Sequence, residues 1–542
     1  MKVKSLIKLL APYFFLTFLC VCLTPRPLQN DTFYLIKLGD RLWNFGFDAK
    51  DHYTYLFDLY YSYPHFLFSL LCFGFYAAFG FIGEYFLSIL LFLTLSFSLF
   101  YILKSSLSSS KVPFVKTYLP ILLTSLVSVL LPVFITARAQ VLTYSVFLWE
   151  LFLLEKLLKN SSRKALLKNS LLLALCSWLV AICHATIWPF FFVLFLPLLA
   201  ELFFWKAFKS SSVRENRSAL TSLRDKFFFS SEIKSLPGEN KKFLLLSGVL
   251  SFLAGLLTPS RICYTAIFKI MAGSSQSYIS EHAPLVLKSY PEAVLFLGLF
   301  LVVYLFLKSR LRLRDLFLFF GLTLITLSSV RNLALLLILG VLPLGNLLAS
   351  TAEGINPKFF EAVEKFTPKK LIVFTVSILL LLDFLKGLDL PLLAPEVAPA
   401  EAVTFLKDHY SENLSGLDLN ETRAASLDSP LRLYNEYNIG AFLLFEDIPV
   451  AIDSRANIYT KPFSNNLETD FFDDYEILKN GSSEAFDLIE KYNFSTFLLY
   501  NDSALGNVLS RDPDYEKIYS DDIFSIFERT EKPEKIESSS QQ

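Results

Sequence analysis

The sequence is poor in charge and lacks the common short catalytic motifs. Only 18% of its 542 residues are charged, whereas 54% are apolar. It contains no glycine-rich phosphate loop, no zinc-binding pattern, no Gly-x-Ser-x-Gly and no basic, aromatic surface for nucleic acid. No internal repeat of solenoid period is present either. These absences argue against P-loop enzymes, zinc proteins, serine hydrolases, nucleic-acid-binding proteins and repeat proteins.

Cysteine is also scarce, and its placement excludes a disulfide scaffold. The spacings fit neither a zinc site nor a disulfide framework, so we expect these side chains to pack in the core. The six cysteines lie in or near apolar segments: Cys20, Cys22, Cys72, Cys176, Cys183 and Cys263. The first 24 residues resemble a signal peptide, but no small-residue cleavage site follows. We therefore expect an uncleaved first membrane span.

Long apolar segments are abundant. The 56 phenylalanines exceed the needs of a water-soluble core, and surface that faces lipid explains them. A helix needs about 20 apolar residues to cross a bilayer. Eleven spans are predicted: 6–24, 84–103, 118–136, 140–157, 169–184, 187–205, 243–258, 292–307, 315–330, 333–350 and 371–386. The stretch 65–80 is short and interrupted by glycine, and we predict that it lies at the membrane interface.

The lysines and arginines predict which side of the membrane each loop occupies. They cluster at every second break between apolar segments, as cytoplasmic loops do. The clusters are Lys104 to Lys116, Lys156 to Lys168, Lys206 to Lys242, Lys308 to Arg314 and Lys358 to Lys370. This pattern predicts a plasma-membrane protein with a cytoplasmic N-terminus. The loop 25–64 and the C-terminal part would then lie outside the cytoplasm.

The C-terminal part differs from the rest in charge. From Asp389 onward the chain has 30 acidic and 12 basic residues, a net charge of −18, and the preceding residues carry +18. We predict a transmembrane domain over 1–388, an extracytoplasmic α/β domain over 389–530 and a disordered tail over 531–542. Helices are expected at 400–410 and 483–492. Strands are expected at 441–445, 449–452, 495–499, 515–519 and 523–528.

Several polar residues fall where the predicted topology places span ends outside the cytoplasm. Arg138, Arg261 and Arg331 have no role in setting topology there, and cations near a membrane persist mainly where they pair or function. A guanidinium binds phosphate oxygens in a bidentate way, so a lipid phosphate would account for them. The alternative is snorkelling at the interface. His184 occupies a similar position.

Carboxylates outside the cytoplasm are the candidate acids and bases. Asp31 follows the first span directly, which holds it at the membrane surface, although it could instead be the N-cap of a helix. Glu281 and His282 lie in the longest later outside break, where Glu281 could meet Asp31 across a cavity. Asp40, Asp48 and Asp51 are predicted to be surface acids.

Short elements along the chain carry a resemblance to a known superfamily. They are Asp31-x-Phe-Tyr-x-Ile-Lys-x-Gly-Asp40 with Asp51-x-Tyr53-Thr54, Ala137-Arg138-Ala139-Gln140, His184-Ala-Thr, Thr258-Pro259 with Ser280-Glu281-His282, Ser329-Val330-Arg331-Asn332, Asn435-Glu-Tyr-Asn-Ile-Gly440, and Ile452-Asp453-Ser-Arg455-Ala-Asn-Ile-Tyr459. In their order these elements resemble a bacterial branch of the C-type glycosyltransferases, which move sugars from polyprenyl-phosphate or polyprenyl-diphosphate carriers. The resemblance covers nearly the whole chain, with Ala139 in place of a proline and no tryptophan after Glu281.

The resemblance implies roles for these residues. Asp31 would be the catalytic base or a metal-site residue, with Mg²⁺ or Mn²⁺ as the metal, and Glu281 a second catalytic candidate. The donor would be a lipid-linked sugar, and the acceptor a glycan, lipid or protein attacked with inversion. The predicted donor-binding residues are Arg138, His184, Arg261, His282 and Arg331. Asp453, Arg455 and Tyr459 follow an apolar run and would contact the acceptor or form a domain interface. The alternative is that Asp453 and Arg455 form a purely structural pair.

Two other classes of protein fit parts of the pattern. A transporter, flippase or polymerase of envelope glycans would also have many spans and membrane arginines. Such proteins carry charges at the membrane midplane or spans broken by Gly and Pro, whereas here the charges lie at span ends. A non-enzymatic assembly or sensor protein could use the acidic tail to bind a partner. That alternative leaves the span-end arginines unexplained.

Overall fold

The computed structural model describes residues 3–61, 63–160, 162–211, 229–230, 237–259, 279–306, 311–355, 369–428, 430–461 and 470–530. Arg261, Cys263 and the predicted tail 531–542 lie outside these ranges. The chain forms two compact units. The first contains the described parts of Met1–Arg26, Tyr85–Thr258 and Ile279–Leu390. The second contains those of Pro27–Glu84 and Pro391–Gln542.

The fold is mainly helical. The α-helices in chain order are α1 (Val3–Leu23), α2 (Asn30–Asn44), α3 (Phe66–Phe79), α4 (Phe81–Leu107), α5 (Pro113–Thr117), α6 (Leu119–Leu130), α7 (Ala139–Lys159), α8 (Arg163–Cys183), α9 (Trp188–Val193), α10 (Leu196–Ser211), α11 (Gly238–Gly255), α12 (Pro291–Phe306), α13 (Leu313–Ser328), α14 (Leu333–Gly354), α15 (Lys369–Gly387), α16 (Ala400–His409), α17 (Ser411–Leu414), α18 (Gly440–Phe445), α19 (Phe471–Asn480), α20 (Ser483–Tyr492) and α21 (Ala504–Leu509). The strands are β1 (Phe229–Ser230), β2 (Leu311–Arg312), β3 (Leu433–Asn435), β4 (Thr496–Tyr500), β5 (Tyr515–Ser520) and β6 (Phe524–Arg529).

Each predicted span coincides with a helix or with a pair of helices. Among the described residues, four stretches are long and apolar enough to cross a membrane: Phe81–Leu107, Arg163–Cys183, Ala185–Phe204 and Val330–Gly354. The predicted span 118–136 is shorter as a helix, because α6 ends at Leu130 and Pro132 opens a 3₁₀ turn. The chain is thus a multi-pass membrane protein, and the total of eleven crossings stays a prediction.

The first unit is built around α14. Every residue from Leu333 to Val341 is buried. Hydroxyl groups join α8 to α11, where Ser247 Oγ donates to Ser170 Oγ at 2.8 Å and Ser177 Oγ donates to the Ser251 carbonyl at 2.7 Å. Such bonds hold helices together where apolar side chains face apolar lipid on the outside.

A buried ion network joins α7, α10 and α13 within the same unit. Arg314 donates to Glu155 at 2.6 Å and to Glu201 at 2.9 Å, and Arg312 pairs with Asp315 at 2.6 Å. These charges offset one another, which buried ions require.

The second unit combines the described parts of Pro27–Glu84 with the C-terminal residues. Its sheet has the order β3-β4-β6-β5, in which β3 and β4 are parallel and the other pairs are antiparallel. In this unit α2 packs against both α3 and α18. A side chain at Gly39 would collide with the Ser69 carbonyl of α3, so only glycine permits this approach.

The C-terminal predictions are confirmed in part. The helices at 400–410 and 483–492 and the strands at 495–499, 515–519 and 523–528 are present as α16, α20, β4, β5 and β6. The predicted strand 441–445 is wrong, because it is α18, and 449–452 forms only a single bridge from Val450 to Thr54. Short apolar runs do not distinguish a buried strand from a buried helical turn. Here Phe442 packs against Phe33 of α2, with ring centroids 5.0 Å apart.

The cysteines follow the prediction where they are described. Cys20, Cys22, Cys72 and Cys183 are buried, Cys176 is half-buried, and all five are free thiols. They therefore pack in the apolar parts of the chain.

Candidate functional site

Four predicted site residues converge in the first unit. Arg138 precedes α7, Glu281 and His282 lie in the 3₁₀ turn Ser280–His282, and Arg331 lies in the turn Val330–Asn332. Arg138 Nη1 lies 3.0 Å from Glu281 Oε1, and Arg331 Nη1 lies 3.4 Å from His282 Nε2. We call these four residues the arginine cluster.

Backbone contacts hold the two turns of the arginine cluster together. Ser329 Oγ donates to the Glu281 carbonyl at 3.0 Å, and the Val330 amide donates to the Ala283 carbonyl at 3.0 Å. A third bond joins the Leu285 amide to the Leu327 carbonyl at 3.1 Å. The positions of Glu281 and Arg331 are thus set by bonds that do not depend on their charges.

The arginine cluster carries a net positive charge. Burial raises the pKa of Glu281, but the charges of Arg138 and Arg331 outweigh it and hold that pKa below its usual value. Burial lowers the pKa of His282, and Arg331 lowers it further. At neutral pH the cluster holds two guanidinium groups, one carboxylate and a neutral imidazole. These four side chains together carry one net positive charge, which favours an anion over a cation as their ligand.

Sequence reasoning missed Tyr144 as a neighbour of this site. It lies in the second turn of α7, close enough for the charges of Arg331, Arg138 and Glu281 to act on it. Tyr144 follows Arg138 closely in the sequence, and this proximity was the available signal. A tyrosine in a span, however, is usually a packing residue.

His184 and Arg261 are the other predicted donor-binding residues. His184 is buried at the end of α8, where its amide donates to the Val180 carbonyl at 2.8 Å. Arg261 lies outside the described residues.

Asp31 belongs to the second unit and is half-buried in the first turn of α2. The alternative that it is the N-cap is wrong, because Gln29 precedes the helix in that position. A carboxylate in the first turn still stabilises a helix through the helix dipole. Burial raises the pKa of the nearby Tyr61, and the charge of Asp31 adds to this shift.

Asp453, Arg455 and Tyr459 lie in a buried network in the second unit. Arg455 donates to both oxygens of Asp453, at 2.8 and 2.6 Å, and to Asp51 at 2.5 Å. The Tyr459 hydroxyl donates to Asp453 at 2.5 Å and lies 3.0 Å from the Thr54 hydroxyl. The Arg455 guanidinium also lies 5.2 Å from the ring centroid of Tyr53 and 5.1 Å from that of Tyr61.

This network joins the segment around Asp51 to the C-terminal residues. Asp51 is 2% exposed, so its prediction as a surface acid is wrong. Burial raises the pKa of Asp51, but Arg455 outweighs this effect and holds the pKa below its usual value. Of the two predicted roles for Asp453, Arg455 and Tyr459, this burial supports a contact between segments more than contact with an acceptor.

The described residues do not assemble a metal centre. No group of three or more His, Cys, Asp or Glu side chains within those ranges could hold a metal ion. Asp31 therefore lacks a described set of companion ligands for Mg²⁺ or Mn²⁺. We derive no step through a metal.

The fold resembles that of solved structures, although no protein-family model and no curated protein sequence matches the chain. ArnT from Cupriavidus metallidurans, solved with undecaprenyl phosphate bound, has a TM-score of 0.50 and 10% identity over 97% of this chain and 98% of ArnT. The oligosaccharyltransferase AglB from Archaeoglobus fulgidus, in complex with an inhibitory peptide and a dolichol-phosphate, has a TM-score of 0.47 and 13% identity over 92% of this chain and 70% of AglB.

An Archaeoglobus fulgidus oligosaccharyltransferase in complex with Zn and sulfate has a TM-score of 0.42 and 14% identity, over 90% of this chain and 68% of that protein. At these identities the likeness concerns the fold. The chain shares the fold of ArnT over nearly its whole length. The resemblance found in the sequence is confirmed at this level.

Proposed function

We propose that the protein is a membrane glycosyltransferase that moves a sugar from a polyprenyl-phosphate or polyprenyl-diphosphate carrier to an acceptor outside the cytoplasm. The observation that carries this proposal is the arginine cluster in a chain with this fold. It brings two guanidinium groups together with one carboxylate and one imidazole. The similar fold of ArnT accommodates undecaprenyl phosphate, so we infer that the anion bound by the arginine cluster is a lipid phosphate.

The proposed reaction is a displacement at the anomeric carbon. The oxygen or nitrogen of the acceptor forms a bond to that carbon as the bond to the lipid phosphate breaks. The proton of the acceptor passes to Asp31, and the bonding electron pair leaves with the phosphate. Displacement from the opposite face inverts the anomeric centre.

The residues of the arginine cluster have different parts in this reaction. Arg138 and Arg331 neutralise the charge that develops on the departing phosphate, which is the larger contribution to rate in such reactions. Glu281 orients Arg138 through their ion pair and is the second candidate for the base. His282 is neutral, and its ring nitrogens can form hydrogen bonds with the neighbouring Arg331 or with the phosphate.

Arg331→Ala tests the donor site. We expect binding of polyprenyl phosphate to weaken by roughly 10- to 100-fold, because a hydrogen bond to a charged group contributes about 1.5–3 kcal/mol. Binding can be measured with undecaprenyl phosphate by thermal shift or by microscale thermophoresis of the purified protein. The thermal midpoint without ligand should stay nearly the same, since backbone bonds hold the turn.

Lys288→Ala is the matched control for Arg331→Ala. Lys288 is an exposed cation of the same unit, in the turn Leu287–Ser289. Its loss should leave the affinity unchanged. Equal affinity of the Arg331 variant and the parent would contradict the proposed donor site, as would an equal loss in both variants.

The proposed orientation can be tested by cysteine labelling. We expect an impermeant thiol reagent to label Ser510→Cys on right-side-out spheroplasts and not to label Ser109→Cys until the membrane is opened. Both residues are exposed, Ser510 after α21 and Ser109 beside the basic break between α4 and α5. The parent protein measures labelling of the native cysteines. The reverse pattern would overturn the assignment of the C-terminal domain to the outside.

The main alternative is a transporter of lipid-linked sugars. It predicts the same donor affinity but no transfer of sugar to an acceptor. A transfer assay with purified protein, a polyprenyl donor and envelope extract as acceptor therefore separates the two functions.

A further inference from the structure

A groove lies between the starts of α8 and α11 in the first unit. It has a volume of about 330 Å³ and is lined by Arg163, Glu239, Lys242, Phe243 and Leu246. Neither the basic side chains nor the groove has a part in the proposed reaction.

The groove is far from the arginine cluster. Arg138 precedes α7, and the last residues of α7 lie beside the start of α11. A helix rises about 1.5 Å per residue, so the 21 residues of α7 separate the two places by roughly 30 Å. A phosphate in the groove would not be the phosphate of a donor held by Arg138.

The walls of the groove are held in place by a buried asparagine. Asn240 is 3% exposed, and its side-chain nitrogen donates to the carbonyls of Leu157 at 2.7 Å and Asn160 at 2.8 Å. These bonds attach the first turn of α11 to the end of α7. The groove is therefore formed by the fold and does not require a ligand to assemble.

The two helices run parallel, so both begin at the groove. The bond from Ser247 to Ser170 joins the two residues that lie nearer the starts of the helices. The bond from Ser177 to Ser251 joins the two that lie nearer their ends. The positive ends of both helix dipoles therefore add to the potential of the basic side chains.

Cations outnumber carboxylates around the groove. Glu239, which pairs with Lys242 at 3.4 Å, is the carboxylate among the residues that line it. The cations of the two helix starts are exposed: Arg163, Lys164, Lys168, Lys241 and Lys242. A negatively charged group is thus the complementary occupant.

Below the charges, the surface becomes apolar. Phe243 and Leu246 line the groove, and along the same helix Leu245, Val249 and Phe252 are exposed as lipid-facing residues would be. Charged side chains next to an apolar surface complement a phospholipid, in which a charged phosphate group is linked to apolar acyl chains. A free phosphate ion would use only the upper part.

We propose that this groove binds the head group of an anionic phospholipid from the leaflet in which α8 and α11 begin. Arg163 and Lys242 contact the phosphate, and Phe243 and Leu246 contact the first part of an acyl chain. Basic pockets between membrane helices bind anionic lipids in this way. The lipid would serve as a fixed component of the protein rather than as its substrate.

The test compares two double variants of the full-length protein. Arg163→Ala/Lys242→Ala removes two cations that line the groove. Lys164→Ala/Lys241→Ala removes the same charge from adjacent positions that do not line it. Retention of phosphatidylglycerol is measured by native mass spectrometry, with phosphatidylcholine and inorganic phosphate as the comparison ligands.

We expect the lining variant to retain phosphatidylglycerol roughly 10-fold less well than the parent, and the control variant to change little. If both variants lose the same retention of phosphatidylglycerol, the lipid is attracted to basic surface in general, and the proposed site is overturned. Equal retention of phosphatidylcholine, or full competition by inorganic phosphate, would also overturn it. If the lining variant does not fold, Leu246→Trp keeps both cations and should reduce retention by filling the groove, and unchanged retention in it would overturn the proposal.

Discussion

Asp31→Asn is expected to lower sugar transfer by at least ~100-fold, the usual effect of losing a general base. The substitution keeps the size of the side chain and its hydrogen bonding but removes the group that accepts the proton. The assay is transfer from a polyprenyl-linked sugar to the acceptor, with donor binding measured in parallel. Donor binding should persist, because the proposed phosphate contacts are made by Arg138 and Arg331.

Stability should change little in Asp31→Asn. Asp31 is in the first turn of α2, where the loss of a charge costs about 0.3–1 kcal/mol through the helix dipole. A fall in activity without a fall in thermal midpoint therefore distinguishes a chemical role from a structural one.

Asp40→Asn is the matched control for Asp31→Asn. Asp40 lies on the same helix, and its carboxylate accepts hydrogen bonds from the side-chain nitrogens of Asn44 and Asn420, at 2.6 and 2.7 Å. An asparagine oxygen can accept one of these bonds, so we expect near-parental transfer. Full activity in Asp31→Asn would falsify the proposed mechanism, and Glu281 would become the next candidate for the base.

Arg455→Met is expected to destabilise the second unit by roughly 3–5 kcal/mol, the cost of breaking a buried ion pair by removing one partner. The substitution leaves Asp51 and Asp453 buried without their cation, and both lie within 2.8 Å of it in the parent. Urea or thermal unfolding of the purified protein, followed by limited proteolysis of the loop 45–63, measures the effect.

Arg423→Met provides the comparison for Arg455→Met. Arg423 also links the C-terminal residues to the segment that contains Asp51, through Asp58, but that aspartate side chain is 51% exposed. An exposed ion pair contributes about 0–1 kcal/mol, so the loss should be small. Adding Asp51→Asn and Asp453→Asn to Arg455→Met should restore part of the stability, because no buried charge then remains unpaired. Equal effects of the two arginine substitutions would contradict the role given to burial.

The arginine cluster shows how far sequence reasoning reached at the site. The positive-inside pattern identified Arg138 and Arg331 as cations without a topological role. It could not show that Glu281 pairs with Arg138, because the pair is separated by 143 residues. The pairing depends on where the turn 280–282 packs against the start of α7, which is a tertiary contact.

The second unit shows a different limit. An acidic residue in a polar loop is predicted to be solvated, and Asp51 is such a residue in sequence. Its cation, Arg455, lies 404 residues later, and only the packing of the loop on the C-terminal residues buries both. The error at 441–445 has the same origin, since contact with α2 decides the conformation of that apolar run.

The sequence alone determined the membrane character of the chain and the positions of its long helices. A helix satisfies its backbone hydrogen bonds within one segment, so in lipid an apolar run of sufficient length specifies its own secondary structure. The tertiary structure alone decided that the segment after the first span folds with the C-terminal residues and that polar residues from three separate segments form one cluster. Side-chain pairs between separate segments depend on how the segments pack, and no local pattern in the chain encodes that arrangement.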